Sequence, residues 1–148
     1  MRVSVIGGST ITSEEAATAE TVGKLLAERG HTVVCGGLGG VMEATCRGAD
    51  AAGGDTIGIL PTEDRTDAND YVDVAIATGI GHARNGMVVL NGDAVIAIDG
   101  GPGTLSEIGF SGVFARPIVG LGTHEVDHVE SVETPAEAVE YVETAVGE

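Results

Sequence analysis

The alternation of short apolar runs with helix-like segments is the feature that most constrains this chain. Strands that are apolar throughout and joined by helices indicate a parallel sheet covered on both faces. The pattern predicts one α/β domain, residues 1–148, with a doubly wound, mainly parallel sheet and helices on both faces. The predicted strands are Val3–Gly7, Thr32–Cys35, Thr56–Leu60, Val72–Ala77, Ala94–Ile98 and Pro117–Leu121. The predicted helices are Ser13–Arg29, Val41–Ala52, His82–Asn91, Thr104–Phe114 and Thr134–Val146.

Local signals mark several ends of these helices. Thr12–Glu15 reads as a capping box, in which the first and last residues bond each other's backbone. Gly30 follows the first helix as a glycine cap, and Pro135 follows Thr134 where the last helix is expected to begin. The polar stretch Thr62–Asp70 interrupts the alternation and is predicted to be a surface loop.

Glycine-rich loops follow three of the predicted strands. In an open α/β sheet, ligands bind beyond the carboxyl ends of the strands, where glycines let backbone N–H groups approach an anion. Three such loops favour a phosphate or nucleotide site over glycines that merely make tight turns. No P-loop motif is present, and a dinucleotide fingerprint is weakly supported. The predicted ligand-binding residues are Gly8, Ser9, Gly36, Gly37, Gly39, Gly40, Gly100, Gly101, Gly103 and Thr104.

The charge balance narrows the range of partners. Seven Lys and Arg residues stand against 23 Asp and Glu residues, which gives a formal net charge of −16. Nucleic acid and anionic membranes attract clustered cations, so we expect neither as a partner. With no apolar run long enough to span a membrane and no signal peptide, the chain is expected to be cytoplasmic. The acidic, lysine-poor composition favours a protein of a salt-accumulating archaeon over an ordinary acidic bacterial protein.

Cysteine, histidine and lysine residues give further predictions. Cys35 and Cys46 are expected to be free structural thiols, because two cysteines 11 residues apart match no zinc or disulfide framework. The segment His124–His128 spells the zinc-protease motif H-E-x-x-H, but a glycine-containing stretch precedes it and strand-like residues follow. We therefore expect a coincidence, and neither a metal nor a cofactor. The single lysine, Lys24, lies within a predicted helix, which excludes a pyridoxal-phosphate decarboxylase.

Three segments together resemble the lonely-guy (LOG) superfamily of Rossmann-like proteins, some of which were once labelled lysine decarboxylases. They are CGGLGGVMEATCRGA at 35–49, IGILP at 57–61 and HARNGMVVLNGDAVIAIDGGPGTLSEI at 82–108. The superfamily signature P-G-G-x-G-T-x-x-E is matched at Gly100, Gly101, Gly103, Thr104 and Glu107, and its preceding arginine is matched by Arg84. The resemblance implies cleavage of the N-glycosidic bond of a nucleoside 5′-monophosphate, with Arg84 and Glu107 as the catalytic pair.

The chain departs from this signature in ways that leave the activity open. Asp99 replaces the signature proline, Asn85 replaces a lysine, and Pro102 removes a backbone donor. In its length and in these departures, the chain resembles a short branch of the superfamily that is related to DNA-processing protein A and to molybdenum-cofactor carriers. The first hypothesis is therefore a purine nucleotide phosphoribohydrolase. The second is a module that senses or carries a nucleotide or a phosphorylated pterin.

Each proposed catalytic residue also has a structural alternative. Glu107 follows Thr104 at capping-box spacing, so its sole role could be to accept a hydrogen bond from a backbone N–H group at the start of a helix. Arg84 could form a surface ion pair with one of the many acids. Because its helix is largely apolar, we expect that helix to pack in a homodimer or larger homo-oligomer.

Overall fold

The computed structural model of the protein describes residues 1–147 and contains a single seven-stranded sheet with five α-helices. Short 3₁₀ helices at Arg65–Asp67 and Gly81–Arg84 precede β4 and α3. The strands are β1 (Arg2–Gly7), β2 (Thr32–Cys35), β3 (Thr56–Leu60), β4 (Val74–Ala77), β5 (Ala94–Ile98), β6 (Ile118–Leu121) and β7 (Glu130–Ser131). The helices are α1 (Ser13–Glu28), α2 (Val41–Ala51), α3 (Asn85–Leu90), α4 (Pro102–Val113) and α5 (Pro135–Val146).

The sheet has the strand order β4-β3-β2-β1-β5-β6-β7, and all its pairings are parallel. The chain moves outward from β1 through β2, β3 and β4, then crosses back to place β5 on the other side of β1. This reversal forms a crevice at the carboxyl ends of β1 and β5, where open α/β sheets bind ligands. The predicted α/β class with a doubly wound parallel sheet is confirmed.

Two apolar layers cover the faces of the sheet. On one face, α1, α2 and α5 bury small and branched side chains, such as Val22 and Val139, against β1, β5 and β6. On the other face, α3 and α4 contribute Val88 and Ile108 to a second cluster with Ile59. Helix packing on both faces explains why the central strands are largely buried and mostly apolar.

Helix caps follow the sequence signals closely. The Thr12 hydroxyl accepts a hydrogen bond from the Glu15 N–H at 3.1 Å, and the Glu15 carboxylate accepts one from the Thr12 N–H at 2.8 Å. Gly30 has a φ of +79°, the left-handed conformation that favours glycine after a helix. At the start of α5 the Thr134 hydroxyl accepts a hydrogen bond from the Glu137 N–H at 3.2 Å and donates to the Glu137 carboxylate at 2.9 Å, with proline in the first turn. The capping predictions for α1 and α5 are confirmed.

Four elements differ from the sequence prediction by two residues or more. The predicted strand Val72–Ala77 begins at Val74, and the predicted helix His82–Asn91 is a 3₁₀ turn followed by the short α3. The predicted helix Thr104–Phe114 begins two residues earlier, at Pro102, because proline suits the first turn of a helix. The two-residue strand β7 was not predicted. None of the helices within residues 1–147 is both long and apolar enough to cross a membrane.

Candidate functional site

The three glycine-rich loops meet at the carboxyl edge of the sheet and enclose a cavity of about 310 Å³. We name them loop 1 (residues 7–10, after β1), loop 2 (36–40, after β2) and loop 3 (99–101, after β5). The floor is formed by the end of β1, and one wall by the first two turns of α4. Its lining residues are Val5, Ile6, Gly7, Gly8, Ser9, Gly36, Leu38, Met42, His82, Arg84, Asn85, Gly101, Pro102, Gly103, Thr104 and Glu107.

Most of the sequence-predicted site residues come together in this cavity, and four do not. Those that line it are Gly8, Ser9, Gly36, Arg84, Gly101, Gly103, Thr104 and Glu107. Gly37, Gly39, Gly40 and Gly100 lie outside the lining. A ligand-binding role for all of these residues stays a prediction, and the four outside the lining are placed where they shape the loops.

Gly40 shows how a glycine outside the cavity determines its shape. It has a φ of +66°, and a Cβ there would lie 2.2 Å from the Gly8 carbonyl oxygen. The N–H of the next residue, Val41, donates to that same oxygen at 2.9 Å. Loop 2 is therefore fastened directly to loop 1, and no residue larger than glycine fits at the junction.

Arg84 is buried beside the cavity, with 7% of its surface exposed. Its Nε donates to the Ile59 carbonyl oxygen at 2.9 Å, and Nη2 donates to the Gly36 carbonyl oxygen at 3.4 Å. Nη1 donates to Oδ1 of Asn85. Burial lowers the pKa of this guanidinium, while the charge of Glu107 acts in the opposite direction. Arg84 is thus a fixed cation joining β3, loop 2 and α3, which corrects the alternative of a surface ion pair.

Asn85 extends this connection to α4. Its Nδ2 donates to the Ser106 hydroxyl at 3.1 Å, and that hydroxyl donates to the Gly103 carbonyl oxygen at 2.6 Å. The asparagine is itself 4% exposed. A continuous series of hydrogen bonds therefore runs from Arg84 to the first turn of α4, and it holds two walls of the cavity together.

Glu107 lies in the second turn of α4, with 8% of its surface exposed. Because α4 begins at Pro102 with Gly101 as its N-cap, the alternative capping box from Thr104 to Glu107 is wrong. Within residues 1–147, none of the hydrogen bonds reaches the Glu107 carboxyl, although it faces the cavity near Arg84. Burial raises the pKa of this carboxyl to about 8, against the opposing effect of the Arg84 charge. At neutral pH Glu107 is mainly an uncharged acid.

Three of the lining side chains that sequence reasoning missed, His82, Met42 and Leu38, come from the 3₁₀ turn, α2 and loop 2. His82 lies two residues before Arg84, in the 3₁₀ turn, and brings an exposed imidazole to the cavity. Met42 and Leu38 add apolar surface from α2 and loop 2. The position of His82 beside the predicted Arg84 was the one available signal; Met42 and Leu38 resemble ordinary core residues in the sequence.

The other residues singled out in the sequence, the His124–His128 segment and the two cysteines, lie outside the cavity lining. The segment from His124 to His128 is not helical, and its two imidazoles bond different carbonyls, those of Gly101 and Ile108. Cys35 and Cys46 are free and buried, as predicted. Among residues 1–147, no group of three or more His, Cys, Asp or Glu side chains is arranged to hold a metal ion.

The fold is that of a Rossmann-like domain with a cavity at the carboxyl edge of its parallel sheet. The chain belongs to the SLOG cluster4 family, whose model matches residues 1–146. It is 42% identical over 142 residues to an uncharacterized protein of Archaeoglobus fulgidus, a match that covers 95% of this chain and 93% of that protein. It is 37% identical over 111 residues to the cytokinin riboside 5′-monophosphate phosphoribohydrolase of Mycobacterium tuberculosis, covering 68% of this chain and 59% of that enzyme.

Two solved structures extend this likeness over the whole fold. The molybdenum cofactor binding protein of Rippkaea orientalis is 34% identical, with a TM-score of 0.92, and the match covers 98% of this chain and 96% of that one. The molybdenum cofactor carrier protein of Chlamydomonas reinhardtii is 29% identical, with a TM-score of 0.89, over 99% of this chain and 98% of that one. The predicted LOG-like superfamily is confirmed.

Proposed function

We propose that this protein binds and carries a phosphorylated pterin of the molybdenum-cofactor class without cleaving it. The observation that carries the proposal is the Glu107 carboxyl, which is buried, faces the cavity and is without a protein hydrogen-bond partner within residues 1–147. Because its oxygens are open to the cavity, this carboxyl keeps its hydrogen-bonding capacity for a ligand. The likeness to the Rippkaea and Chlamydomonas proteins supports the choice of ligand.

The protonation state of Glu107 argues against its serving as the ionised carboxylate of a hydrolase. Hydrolysis of an N-glycosidic bond passes through an oxocarbenium-like state that an ionised carboxylate stabilises. With a pKa of about 8, Glu107 lacks that charge at neutral pH. An uncharged carboxyl has one O–H donor and one carbonyl acceptor, which match an adjacent acceptor and donor on the edge of a pterin ring. An anionic ligand would also favour the uncharged form.

Backbone N–H groups are the proposed contacts for the phosphate. Gly8 and Ser9 line the cavity from loop 1, and Gly101 and Gly103 line it from the start of α4. The positive end of the helix dipole and the fixed charge of Arg84 both favour an anion there. His82 lines the same cavity and contributes an imidazole as a further hydrogen-bonding group.

A second candidate is a nucleoside 5′-monophosphate phosphoribohydrolase. The observation in its favour is that Arg84 and Glu107 share one cavity, in the order that the LOG signature requires. The likeness to the Mycobacterium tuberculosis enzyme supports it over part of the chain.

Thermal shift and base release in molar KCl distinguish the two functions. We expect a pterin monophosphate to raise the melting temperature, and AMP, GMP, CMP, UMP and IMP to release no base detectable by chromatography. Arg84→Met should abolish the thermal shift, because it removes the fixed cation of the site. Arg47→Met is the matched control, since Arg47 pairs with Glu20 at 3.3 Å outside the cavity. Base release that Glu107→Gln abolishes would establish the hydrolase instead.

A further inference from the structure

Two buried thiols face each other beneath loop 2. Cys35 is the last residue of β2, Cys46 lies in the middle of α2, and their Sγ atoms are 3.5 Å apart. Both residues are 0% exposed. A disulfide has an S–S distance of about 2.05 Å, so the two sulfurs need to approach by roughly 1.5 Å. Forming the disulfide therefore requires a rotation of the two side chains or a shift of α2 toward β2.

The surroundings of Cys35 favour its thiolate. A hydrogen bond from Cys46 lowers the pKa of the Cys35 thiol, and the Gly37 N–H donates to the same sulfur at 3.3 Å. The charge of Arg84 acts in the same direction. The hydrogen bond to Cys35 raises the pKa of Cys46, so Cys46 remains the protonated donor. Burial and the charge of Glu107 oppose this lowering of the Cys35 pKa. A thiol with a lowered pKa beside one that stays protonated is an arrangement in which one cysteine reacts and the other resolves the product.

We propose that Cys35 and Cys46 form a reversible disulfide with hydrogen peroxide as the oxidant, and that this modification weakens ligand binding in the cavity. The Cys35 thiolate attacks one peroxide oxygen, which gives a sulfenic acid and, after protonation, one water. The Cys46 thiol then attacks the sulfenic sulfur, and its proton leaves with the hydroxyl group as a second water. The two thiols lose two electrons and two protons, and one peroxide becomes two waters.

The position of the pair couples it to the cavity. Gly36 follows Cys35 directly, lines the cavity, and accepts a hydrogen bond from Arg84 through its carbonyl oxygen. Met42 also lines the cavity and lies one helical turn before Cys46 on the same side of α2. A Cβ on Gly36 would lie 2.7 Å from the Met42 sulfur, so β2 and α2 are already in tight contact there. Drawing the sulfurs together shifts both cavity-lining residues.

Intact mass and thiol titration test the disulfide itself, without reference to any ligand. We expect the folded wild type, treated with hydrogen peroxide in molar KCl, to lose the mass of two hydrogen atoms and both titratable thiols. Dithiothreitol should restore both. Cys46→Ser should lose no such mass, and Cys46→Ala is a second variant in case the serine impairs folding. Two thiols that survive treatment of the folded protein, or a Cys35 that is oxidised to sulfinic acid instead, would overturn the proposal.

The effect on affinity rests on the proposed function and is measured separately. We expect the oxidised protein to bind a pterin monophosphate about 5- to 100-fold more weakly than the reduced protein, a range typical of coupling between two sites. Binding that is equal in both redox states would overturn the coupling. A disulfide that forms in a protein binding no pterin monophosphate in the reduced state would overturn the proposed function and leave the modification site established.

Discussion

At the scale of single residues, the site contains two buried ionisable groups that differ in the hydrogen bonds they receive from the protein. Arg84 has its charge balanced by carbonyl oxygens on β3 and loop 2. Glu107 receives no such compensation from the described residues, and its pKa is raised accordingly. The site thus satisfies one group and leaves the other available to the proposed ligand, and the open group costs stability when it ionises.

This cost predicts a pH-dependent effect of Glu107→Gln. The folded pKa of about 8 lies above the usual carboxyl value of 4.5, so the wild type loses stability as pH rises through that interval. Glutamine does not ionise, so the variant should equal the wild type near pH 4.5 and exceed it by about 2–4 kcal/mol above pH 8. Urea unfolding across this range measures the difference. Glu140→Gln, on the exposed part of α5, should show no such divergence; a divergence of equal size in both variants would contradict the prediction.

At the scale of elements, close contact between α1 and α2 holds loops 1 and 2 in place. A Cβ at Gly48 of α2 would lie 2.0 Å from the Glu20 carbonyl oxygen, and one at Gly23 of α1 would lie 2.0 Å from that of Thr45. Each helix therefore presents a glycine to the backbone of the other. This allows an approach that two alanine-bearing surfaces would prevent.

Gly48→Ala should therefore destabilise the protein although alanine is the better helix former. We expect a loss of about 1–3 kcal/mol, since backbone atoms cannot yield as a flexible side chain does. Gly109→Ala on α4 is the matched control: nothing lies within 4 Å of its added Cβ, so it should gain about 0.5–1 kcal/mol. Chemical denaturation measures both, and equal effects of the two substitutions would refute the packing argument.

The elements also show how far the sequence alone could lead. Strands β1, β2, β3 and β5, and the loops after three of them, were predictable because apolar runs and glycines act locally. Strand β7 has only Glu130 and Ser131, too short for a periodic pattern, so it could not be found. The bonds from Arg84 to Ile59 and Gly36 join residues 25 and 48 positions apart. No local rule predicts such contacts, and the same holds for the burial that decides the charge of Glu107.

At the scale of the whole molecule, the excess of acidic residues opposes the compact state. With a net charge of −16, mutual repulsion should be strong at low ionic strength. We expect the melting temperature to rise by roughly 5–15 °C between 0.1 M and 2 M KCl, most of it by 1 M, where the Debye length is ~3 Å. Calorimetry over this series measures the rise. A melting temperature that stays constant or falls would contradict the salt-adapted reading of the composition.

The face formed by α3 and α4 carries the prediction of self-association. Large apolar side chains are exposed there, with 75% of the Val113 surface and 48% of the Leu90 surface accessible, together with Met87 and Leu105. A twofold pairing of this face would bury them. We expect light scattering to give the mass of a dimer or larger assembly. Val113→Glu should give a monomer, and Ala136→Glu on α5 should not; a wild-type monomer at about 100 μM would contradict the prediction.

The bond between Val41 and Gly8, together with the glycine contact at Gly40, has a kinetic consequence. Because loops 1 and 2 are already joined, this part of the cavity has its final shape before a ligand binds. A preformed site loses little conformational entropy when a ligand binds, so differences in affinity arise mainly from the dissociation rate of the ligand. If the protein delivers a bound ligand, the rate of transfer would then equal the rate of ligand dissociation. A recipient protein would capture the dissociated ligand and would not need to change the conformation of the donor.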